Sequence, residues 1–303
     1  RGSKVVCRTE SELSGALPRL RRREGSMIGR RMSQLHARQF QRLQAYDVPA
    51  SVDMHCHCLP GIDDGPADLD EALELCRQLV LDGITQVIAT PHQLGRYEGR
   101  NSSIEIRRAV EALNQRLEEA QIPLEVIAGA EVRLDERLPA MLQADEILLL
   151  PDGGDHVLLE LPRGAFIDPF PLIRALYFRG ITTVIAHPER QTGMSRRRDM
   201  LQRWIEEGAL LQVNAGSFLG EFGPEAEANA WQWLEMGLVT LVASDTHSAD
   251  RRPPSMSRAI ELLESRVGTA MTRLVCIDNP LRLYRRLPMQ PPAAPSAAPG
   301  GAA

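Results

Sequence analysis

The chain has 303 residues, 43% of them hydrophobic, which is enough for one large domain or two ordinary ones with a sizeable core. Its net charge of −5 argues against a nucleic-acid-binding protein, and no apolar run approaches the roughly 20 residues that a membrane span needs. Five cysteines without a disulfide framework, and the lack of an apolar signal segment at the start, favour the cytoplasm.

The two ends differ from the middle in composition. Residues 1–50 are rich in arginine, and we expect a poorly ordered extension that includes some upstream sequence. Residues 287–303 are rich in Pro, Ala and Gly, which predicts a disordered tail. The folded domain is therefore expected to span residues 51–286.

Within this domain, short β-rich apolar runs alternate with segments of helical periodicity. The predicted strands are 51–57, 85–92, 124–132, 156–162, 182–189, 209–216 and 239–247. The predicted helices are 68–83, 103–121, 137–147, 169–180, 197–208, 225–237 and 255–267. Strict alternation implies a parallel sheet, and seven units favour an α/β fold of the distorted (β/α)7 barrel type.

The first strand and the turn after it carry an unusual density of metal-type ligands, "DMHCHCLPGIDDGP". Because residues i and i+2 share a face of a strand, His55 and His57 are expected to point together with Asp53. Cys56 and Cys58 should then point the other way with Met54, as core residues. No further Cys or His follows at the spacing of a zinc knuckle.

Nearly every predicted strand ends in a potential ligand, and in a parallel barrel these ends share one rim. The candidates are His55, His57, Asp64, His92, Glu131, Glu160, His187, Asp245 and His247. Five of the seven histidines fall there, and His36 and His156 are interpreted as structural. Glu131 and Glu160 lie in apolar strands and need either a cation or an arginine partner. Oxygen and imidazole ligands suit Mn, Fe or Zn better than Cu(I).

The residues 51–286 resemble the polymerase-and-histidinol-phosphatase (PHP) superfamily, and within it the bacterial manganese-dependent protein-tyrosine phosphatases of capsule and exopolysaccharide clusters. The resemblance rests on "DMHCHCLPGIDDGP", "ATPH", "AHPER" and "ASDTHSADRRPP", together with "GAEV" and "LLELP". It implies two or three Mn²⁺ ions per chain, with Fe, Co or Zn as alternatives. The implied sets are His55, His57, Glu131 and Asp245; Glu131, Glu160 and His187; and Asp64, His92 and His247.

The resemblance also implies a reaction and a partner. Metal-activated hydroxide would attack a phosphotyrosine whose phosphoryl group is held by Arg190 and Arg252. Asp64 or His247 could assist the leaving phenolate. The implied partner is the phosphotyrosine tail of a bacterial tyrosine kinase of polysaccharide export, in the cytoplasm, without nucleic acid or membrane insertion. Whether the chain forms a homo-oligomer is left open by the sequence.

Several alternatives stay open beside this interpretation. Within the PHP superfamily, the substrate could be a small phosphomonoester such as histidinol phosphate. A barrel amidohydrolase also carries His-x-His on its first strand, and a metal-stabilised regulatory protein would not be an enzyme. "CIDNPLR", from Cys276 to Arg282, matches the bare spacing of a cysteine phosphatase loop. It lacks the glycines that let backbone N–H groups cradle phosphate, so a terminal strand and turn is favoured there.

Overall fold

The computed structural model describes residues 51–164 and 166–292. The arginine-rich extension 1–50 and residues 293–303 of the predicted tail lie outside the described residues, and the predictions about them stay predictions. The strands are β1 (Val52–Cys56), β2 (Gln86–Ala89), β3 (His92–Gln93), β4 (Glu125–Ala128), β5 (Glu131–Arg133), β6 (His156–Glu160), β7 (Thr182–Ala186), β8 (Leu210–Asn214) and β9 (Val239–Ala243).

The helices follow the strands in chain order. They are α1 (Leu69–Leu81), α2 (Ser103–Glu119), α3 (Leu138–Gln143), α4 (Phe170–Tyr177), α5 (Arg198–Glu206), α6 (Ala215–Phe218), α7 (Pro224–Glu235), α8 (Met256–Val267), α9 (Thr269–Arg273) and α10 (Asn279–Tyr284). Local sequence sets several of their starts. Asp68 accepts a hydrogen bond from the Glu71 backbone N–H before α1, and Ser102 with Glu105 forms a capping box before α2.

The strands form two parallel sheets, not one closed seven-stranded sheet. The orders are β1-β2-β4 and β3-β5-β6-β7-β8-β9. The reason lies in two predicted strands, 85–92 and 124–132, each of which is interrupted part-way. The first breaks at Thr90–Pro91 and the second at Gly129–Ala130. Gly129 permits a close approach there, because a Cβ atom would lie 2.8 Å from Ile88 Cγ2.

The two ends of the strand series meet without forming a continuous ladder. Cys56 and Thr246 form an isolated parallel bridge, and the His57 backbone N–H donates to the Thr246 carbonyl at 2.8 Å. The α/β class with parallel sheets is therefore confirmed, whereas a closed (β/α)7 barrel is not.

Alternate residues of the strands separate into two buried layers. The outer layer, between strands and helices, includes Val87, Leu159 and Val242. The inner cluster comprises Met54, Ile88, Leu150, Leu158, Val184, Ala186, Leu241, Ala243 and Leu283. A fully buried leucine such as Leu158 contributes about 1.5–3 kcal/mol to the free energy of unfolding. The inner cluster is thus a buried apolar layer between the strands that carry the candidate ligands.

A β-bulge in β1 changes the predicted orientation of its side chains. Asp53 pairs with Val87 and Cys56 pairs with Ala89, so three steps on β1 oppose two on β2. Met54 consequently lies in the inner cluster, apart from Cys56 and Cys58, which lie in the outer layer. The prediction that Met54 shares a face with the two cysteines was wrong, because a bulge shifts the alternation by one residue. Asp53 lies opposite outward-facing Val87, and its carboxylate accepts hydrogen bonds from the backbone N–H groups of Ser244 and His55. It belongs to none of the candidate ligand groups among the described residues.

The end of the domain is helical, where a strand and turn was favoured. Leu274–Asp278 forms a π-helical turn between α9 and α10. Leu283 of α10 reaches the inner cluster, which explains why this segment folds back onto the sheets. Among the described residues, no helix is both long enough and apolar enough to cross a bilayer.

Candidate metal centre

The nine predicted ligand side chains converge, although they are spread from His55 to His247 in the sequence. Each of these residues lies at or just after the carboxyl end of a strand, and the carboxyl ends of parallel strands meet at one edge. They form four overlapping groups within which the ligand atoms lie within 4.8 Å of one another: His57, Asp64, His92 and His247; His55, His57 and Asp245; His55, Glu131 and His187; and His92, Glu131 and Glu160.

The His-x-His pair is oriented by two residues that bind the other ring nitrogens. His55 Nδ1 lies 3.0 Å from Gln212 Oε1, and His57 Nδ1 lies 2.7 Å from Asp63 Oδ2. With Nδ1 donating in both rings, the two Nε2 atoms remain as ligands, and they lie 3.3 Å apart. The bulge in β1 places both rings on the inner side.

Glu131 lies at the middle of the cluster and is fully buried. Its Oε1 is 2.8 Å from His187 Nε2, and its Oε2 is 3.1 Å from His92 Nδ1 and 3.4 Å from His57 Nε2. Burial alone would raise the pKa of Glu131, but the facing His55 and His187 hold it well below its usual range. The carboxylate is therefore ionised and surrounded by imidazoles.

Asp245 completes the inner side of the cluster. Its Oδ1 lies 3.4 Å from His55 Nε2 and 3.6 Å from His57 Nε2, and its Oδ2 accepts a hydrogen bond from Asn214 at 2.6 Å. Burial opposes ionisation, but His55 and Arg252 keep the pKa of Asp245 well below its usual range. Its backbone is left-handed with φ of 52°, a strained conformation that is common at functional sites.

Asp64, His92 and His247 form the open side of the cluster. Asp64 Oδ1 is 3.2 Å from His92 Nε2 and 3.5 Å from His247 Nε2, and the Asp64 side chain is 40% exposed. Burial lowers the pKa of His92, but Asp64 and Glu131 raise it to about 11. Burial, followed by the charge of His57, lowers the pKa of His247 to about 4.

These ligands suit divalent cations. The donors are imidazole nitrogens and carboxylate oxygens without thiolate, a set that Mn, Fe and Zn accept. Glu131 Oε2 is buried and has no hydrogen-bond partner among the described residues, although imidazole nitrogens surround it. Such an orphaned ionised oxygen is costly unless a cation compensates it. Glu131 is balanced only by the facing imidazoles among the described residues, and bound ions would replace their protons.

The distances place Glu160 in a group with His92 and Glu131, whereas the resemblance implies a set of Glu131, Glu160 and His187. Glu160 Oε2 lies 3.8 Å from His92 Nδ1, and it also faces Arg133 at 3.2 Å. His187 instead pairs with Glu131 and His55. The membership of the cluster thus follows the sequence, while the division of the ligands among ions stays a prediction.

Two arginines converge on Asp245 at the edge of the cluster. Arg190 Nη1 lies 2.7 Å and Arg252 Nη2 lies 2.5 Å from Asp245 Oδ2. Both guanidinium groups also contact the ring of Phe222, with carbon-to-centroid distances of 4.2 and 5.7 Å. Arg251, by contrast, is 82% exposed. Arg252 Nε is buried without a hydrogen-bond partner in the described part of the chain, so this side chain retains donor capacity.

Sequence reasoning missed the residues that support the ligands. Asp63 was passed over for its neighbour Asp64, and Gln212 and Asn214 were treated as ordinary strand residues. Two amides in the apolar strand "LLQVN" are a signal that could have found the last two, because buried polar side chains need partners. Phe222 lies in a loop and carried no such signal.

Other candidates lie apart from the cluster. Cys56, Cys58 and Cys276 are buried in the outer layer, and burial raises the pKa of Cys276 well above its usual range. His156 begins β6, at the opposite end from the cluster, and pairs with Asp155 at 2.7 Å. His36 lies outside the described residues.

Comparison with known proteins gives a consistent set of relatives. The family model for capsular polysaccharide synthesis, CpsB/CapC, matches residues 51–285. The chain is similar to tyrosine-protein phosphatase YwqE of Bacillus subtilis, with 33% identity over 250 residues that cover 80% of this chain and 96% of the relative. It is also similar to tyrosine-protein phosphatase CpsB of Streptococcus pneumoniae, with 28% identity over 240 residues that cover 77% and 97%.

A solved structure is similar along the same stretch. It comes from work on YwqE of Bacillus subtilis and CpsB of Streptococcus pneumoniae, described as unique metal-dependent tyrosine phosphatases. The TM-score is 0.75 at 33% identity, covering 80% of this chain and 98% of that one. The similarity thus extends over nearly the whole length of the relative, and the family match spans every strand that carries a candidate ligand.

Proposed function

This chain belongs to the CpsB/CapC family of capsular polysaccharide synthesis, and from that premise we propose that it is a metal-dependent protein-tyrosine phosphatase. The observation that carries the proposal is the convergence of nine nitrogen and oxygen ligands around the orphaned Glu131 Oε2, beside two arginines. A distorted seven-stranded barrel, interrupted in two strands, is the arrangement that we propose for its sheets.

We assign the nine side chains of the cluster as ligands of two or three divalent ions, with Mn²⁺ first and Fe, Co or Zn as alternatives. When bound, the ions would supply Lewis acidity, lowering the pKa of water toward about 7 and neutralising phosphoryl oxygens. The chain itself would supply orientation. Gln212 and Asp63 hold the two histidine rings so that Nε2 faces inward.

Arg190 and Arg252 are the proposed phosphoryl-binding residues. Their guanidinium groups are fixed by Asp245 on one side and by Phe222 on the other, which preorganises their donors. Planar guanidinium groups match the spacing of phosphoryl oxygens. An anionic phosphoryl group would satisfy the unpaired Arg252 Nε.

Asp64 and His247 are proposed to face the leaving oxygen. They lie at the open side of the cluster, where Asp64 is 40% exposed. A tyrosine phenol has a pKa near 10, so the phenolate is a better leaving group than a serine alkoxide. Proton delivery is therefore a smaller part of the barrier for phosphotyrosine, and one such group is sufficient.

The proposed physiological substrate is the phosphotyrosine tail of a bacterial tyrosine kinase that controls polysaccharide export, in the cytoplasm. Membership of a capsular polysaccharide synthesis family supports this context. A flexible tail could also reach a cluster that lies at the ends of the strands.

The experiment that tests the proposed function compares kcat/KM on three substrates with the Mn²⁺-loaded chain: a phosphotyrosyl peptide, the matching phosphoseryl peptide and histidinol phosphate. We expect the phosphotyrosyl peptide to be preferred. A preference of about tenfold or more for histidinol phosphate, a barrier difference near 1.4 kcal/mol, would keep the reaction class and overturn the tyrosine-phosphatase assignment.

A further inference from the structure

A second group of arginines lines a cavity at the mouth of the metal cluster, and Arg190 and Arg252 are not among the residues that line it. A cavity of about 120 Å³ opens beside Asp64, His92 and Glu160, and its other lining side chains are Gln93, Leu94, Arg96, Tyr97, Arg133 and Arg163. The cavity is therefore bounded by the ligand cluster on one wall and by three cationic side chains on another.

The three arginines follow from the order of the strands. Arg96 comes four residues after His92, Arg133 two after Glu131, and Arg163 three after Glu160. The strands β3, β5 and β6, which carry these ligands, are neighbours in one sheet. Each of these strands thus carries a candidate ligand, and an arginine follows it two to four residues later in the chain. We call Arg96, Arg133 and Arg163 the mouth arginines.

Two of the mouth arginines are held in place by local packing. Leu94 and Gly95 both have left-handed backbones, and this sharp turn presents Arg96 and Tyr97 to the cavity. Tyr97 stacks on His92 with an interplanar angle of 10°, and the Arg96 guanidinium lies 4.7 Å from the Tyr97 centroid. Arg133 donates to the Leu161 carbonyl at 2.9 Å.

The charges on the cavity wall are not balanced by its own acids. Arg96 pairs with Asp64 and Arg133 pairs with Glu160, and both carboxylates are proposed metal ligands. Arg163 is exposed and has no hydrogen bond or ion pair with any residue of 51–164 or 166–292. With cations bound to Asp64 and Glu160, the mouth would carry an excess of positive charge.

We propose that the mouth arginines form a subsite for a second anionic group of the substrate, close in sequence to the phosphotyrosine. This inference rests on the proposed function and narrows its substrate class to phosphotyrosyl peptides that carry a neighbouring carboxylate or second phosphate. The proposed function places the phosphoryl group under attack at Arg190 and Arg252, so it does not occupy the mouth arginines. Arg163 would contact a flanking anion directly, and Arg96 and Arg133 would turn to it when cations bind Asp64 and Glu160. A small phosphomonoester without a second anion does not use this subsite.

The test uses the full chain loaded with Mn²⁺ and two phosphotyrosyl peptides that differ only in charge. One carries Asp and Glu on both sides of the phosphotyrosine, and the other carries Asn and Gln at the same positions. A third peptide carries a second phosphotyrosine. We expect kcat/KM to be about tenfold higher for the acidic peptide than for the neutral one, since charge-assisted hydrogen bonds to the arginines are stronger than the neutral ones that Asn and Gln can form. The preference should shrink as salt is added.

Variants of Arg163 separate a binding role from a structural one. Arg163→Glu should abolish or reverse the preference for the acidic peptide, and Arg163→Lys should retain most of it. Arg108→Glu is the matched control, because Arg108 is an exposed arginine of α2 that does not line the cavity. Equal kcat/KM for the neutral, acidic and doubly phosphorylated peptides in the unmodified chain overturns the subsite. A preference for the peptides with a second anion that is unchanged in Arg163→Glu overturns it as well.

A binding measurement keeps this result distinct from failure of the proposed function. Phosphonate analogues of the same peptides cannot be hydrolysed, and their affinity is measured by calorimetry on the Mn²⁺-loaded chain. Tighter binding of the acidic analogue without hydrolysis of any phosphopeptide supports the subsite and contradicts the phosphatase. Hydrolysis of all three peptides with equal efficiency supports the phosphatase and contradicts the subsite. If only the doubly phosphorylated peptide is preferred, the second anion is a phosphate.

Discussion

Asp63 Oδ2 lies 2.7 Å from His57 Nδ1, so the first aspartate of the "DDG" turn orients a candidate ligand, while the second, Asp64, faces the cluster itself. The same oxygen accepts the His92 backbone N–H at 3.1 Å. One carboxylate therefore connects the turn after β1 to the ends of two ligand-bearing strands. Partners of this kind fix the ring orientation and raise ligand basicity.

Asp63→Ala should weaken metal binding by roughly 10- to 100-fold without removing a ligand, because His57 loses its orienting acceptor. Competition with a chromogenic chelator measures the affinity. Asp70→Asn, an exposed carboxylate in the first turn of α1, is the control and should leave the affinity unchanged. Unaltered affinity in Asp63→Ala would show that the hydrogen bond has no such role.

Arg190→Ala should raise the barrier of the reaction by about 2–4 kcal/mol, comparable to the loss of one preorganised oxyanion donor. The metal content should not change, since Arg190 is not a ligand. The measurement is kcat/KM on a phosphotyrosyl peptide together with metal analysis. Arg251→Ala, at a side chain that is 82% exposed, serves as the comparison. Equal losses in the two variants would remove Arg190 from the phosphoryl site.

Cys276→Ser should retain near-normal turnover per folded molecule. The thiol is fully buried, and burial raises its pKa, so it is neither accessible nor ionised as a nucleophile must be. Its surroundings are a π-helical turn and not a phosphate-binding loop. A variant that folds and keeps its metal but has no turnover would favour thiolate chemistry.

Stability should depend on pH through Asp82, which belongs to none of the candidate ligand groups among residues 51–164 and 166–292. Its carboxylate accepts the Met256 backbone N–H at 2.8 Å at the start of α8, and burial raises its pKa to about 6. Because the folded-state pKa lies above the unfolded value, the folded state binds the proton more tightly. The stability that this proton provides is fully present below about pH 4 and is lost as the pH rises to about 6.

Asp82→Asn should remove this dependence while keeping a side-chain acceptor at the helix start. The free energy of unfolding of the unmodified chain should therefore fall relative to the variant between about pH 4 and pH 6. Denaturant titrations at several pH values measure the difference, with Asp70→Asn as control. A constant difference across this range would mean that Asp82 titrates normally.

The convergence of the candidate ligands could be predicted from sequence because their positions follow local rules. Strand ends carry the site in parallel α/β folds, so placing His92, Glu131 and Asp245 after apolar runs was enough to bring them together. The helix starts at Asp68 and Ser102 likewise follow local capping patterns.

What could not be predicted depends on partners distant in sequence. His55 is oriented by Gln212, 157 residues away, and no local pattern connects the two. The orientation of Met54 depends on a bulge that is defined only by the ladder with β2. The strands divide into two sheets because two of the predicted strands are interrupted at Pro91 and Gly129. Whether such an interruption separates the sheets depends on how the neighbouring strands pair. Phe222 contacts Arg190 and Arg252 from a loop, and residue spacing in a loop does not predict which residues will be neighbours.

The measurement that tests the account most directly is phosphotyrosyl-peptide hydrolysis before and after exhaustive chelation, with the metal content determined on the same samples. Untreated protein is expected to carry two or three transition ions per chain, in keeping with four overlapping ligand groups. Chelation should abolish hydrolysis, and added Mn²⁺ or Co²⁺ should restore it. Full activity in protein that has been stripped of its ions would contradict the account.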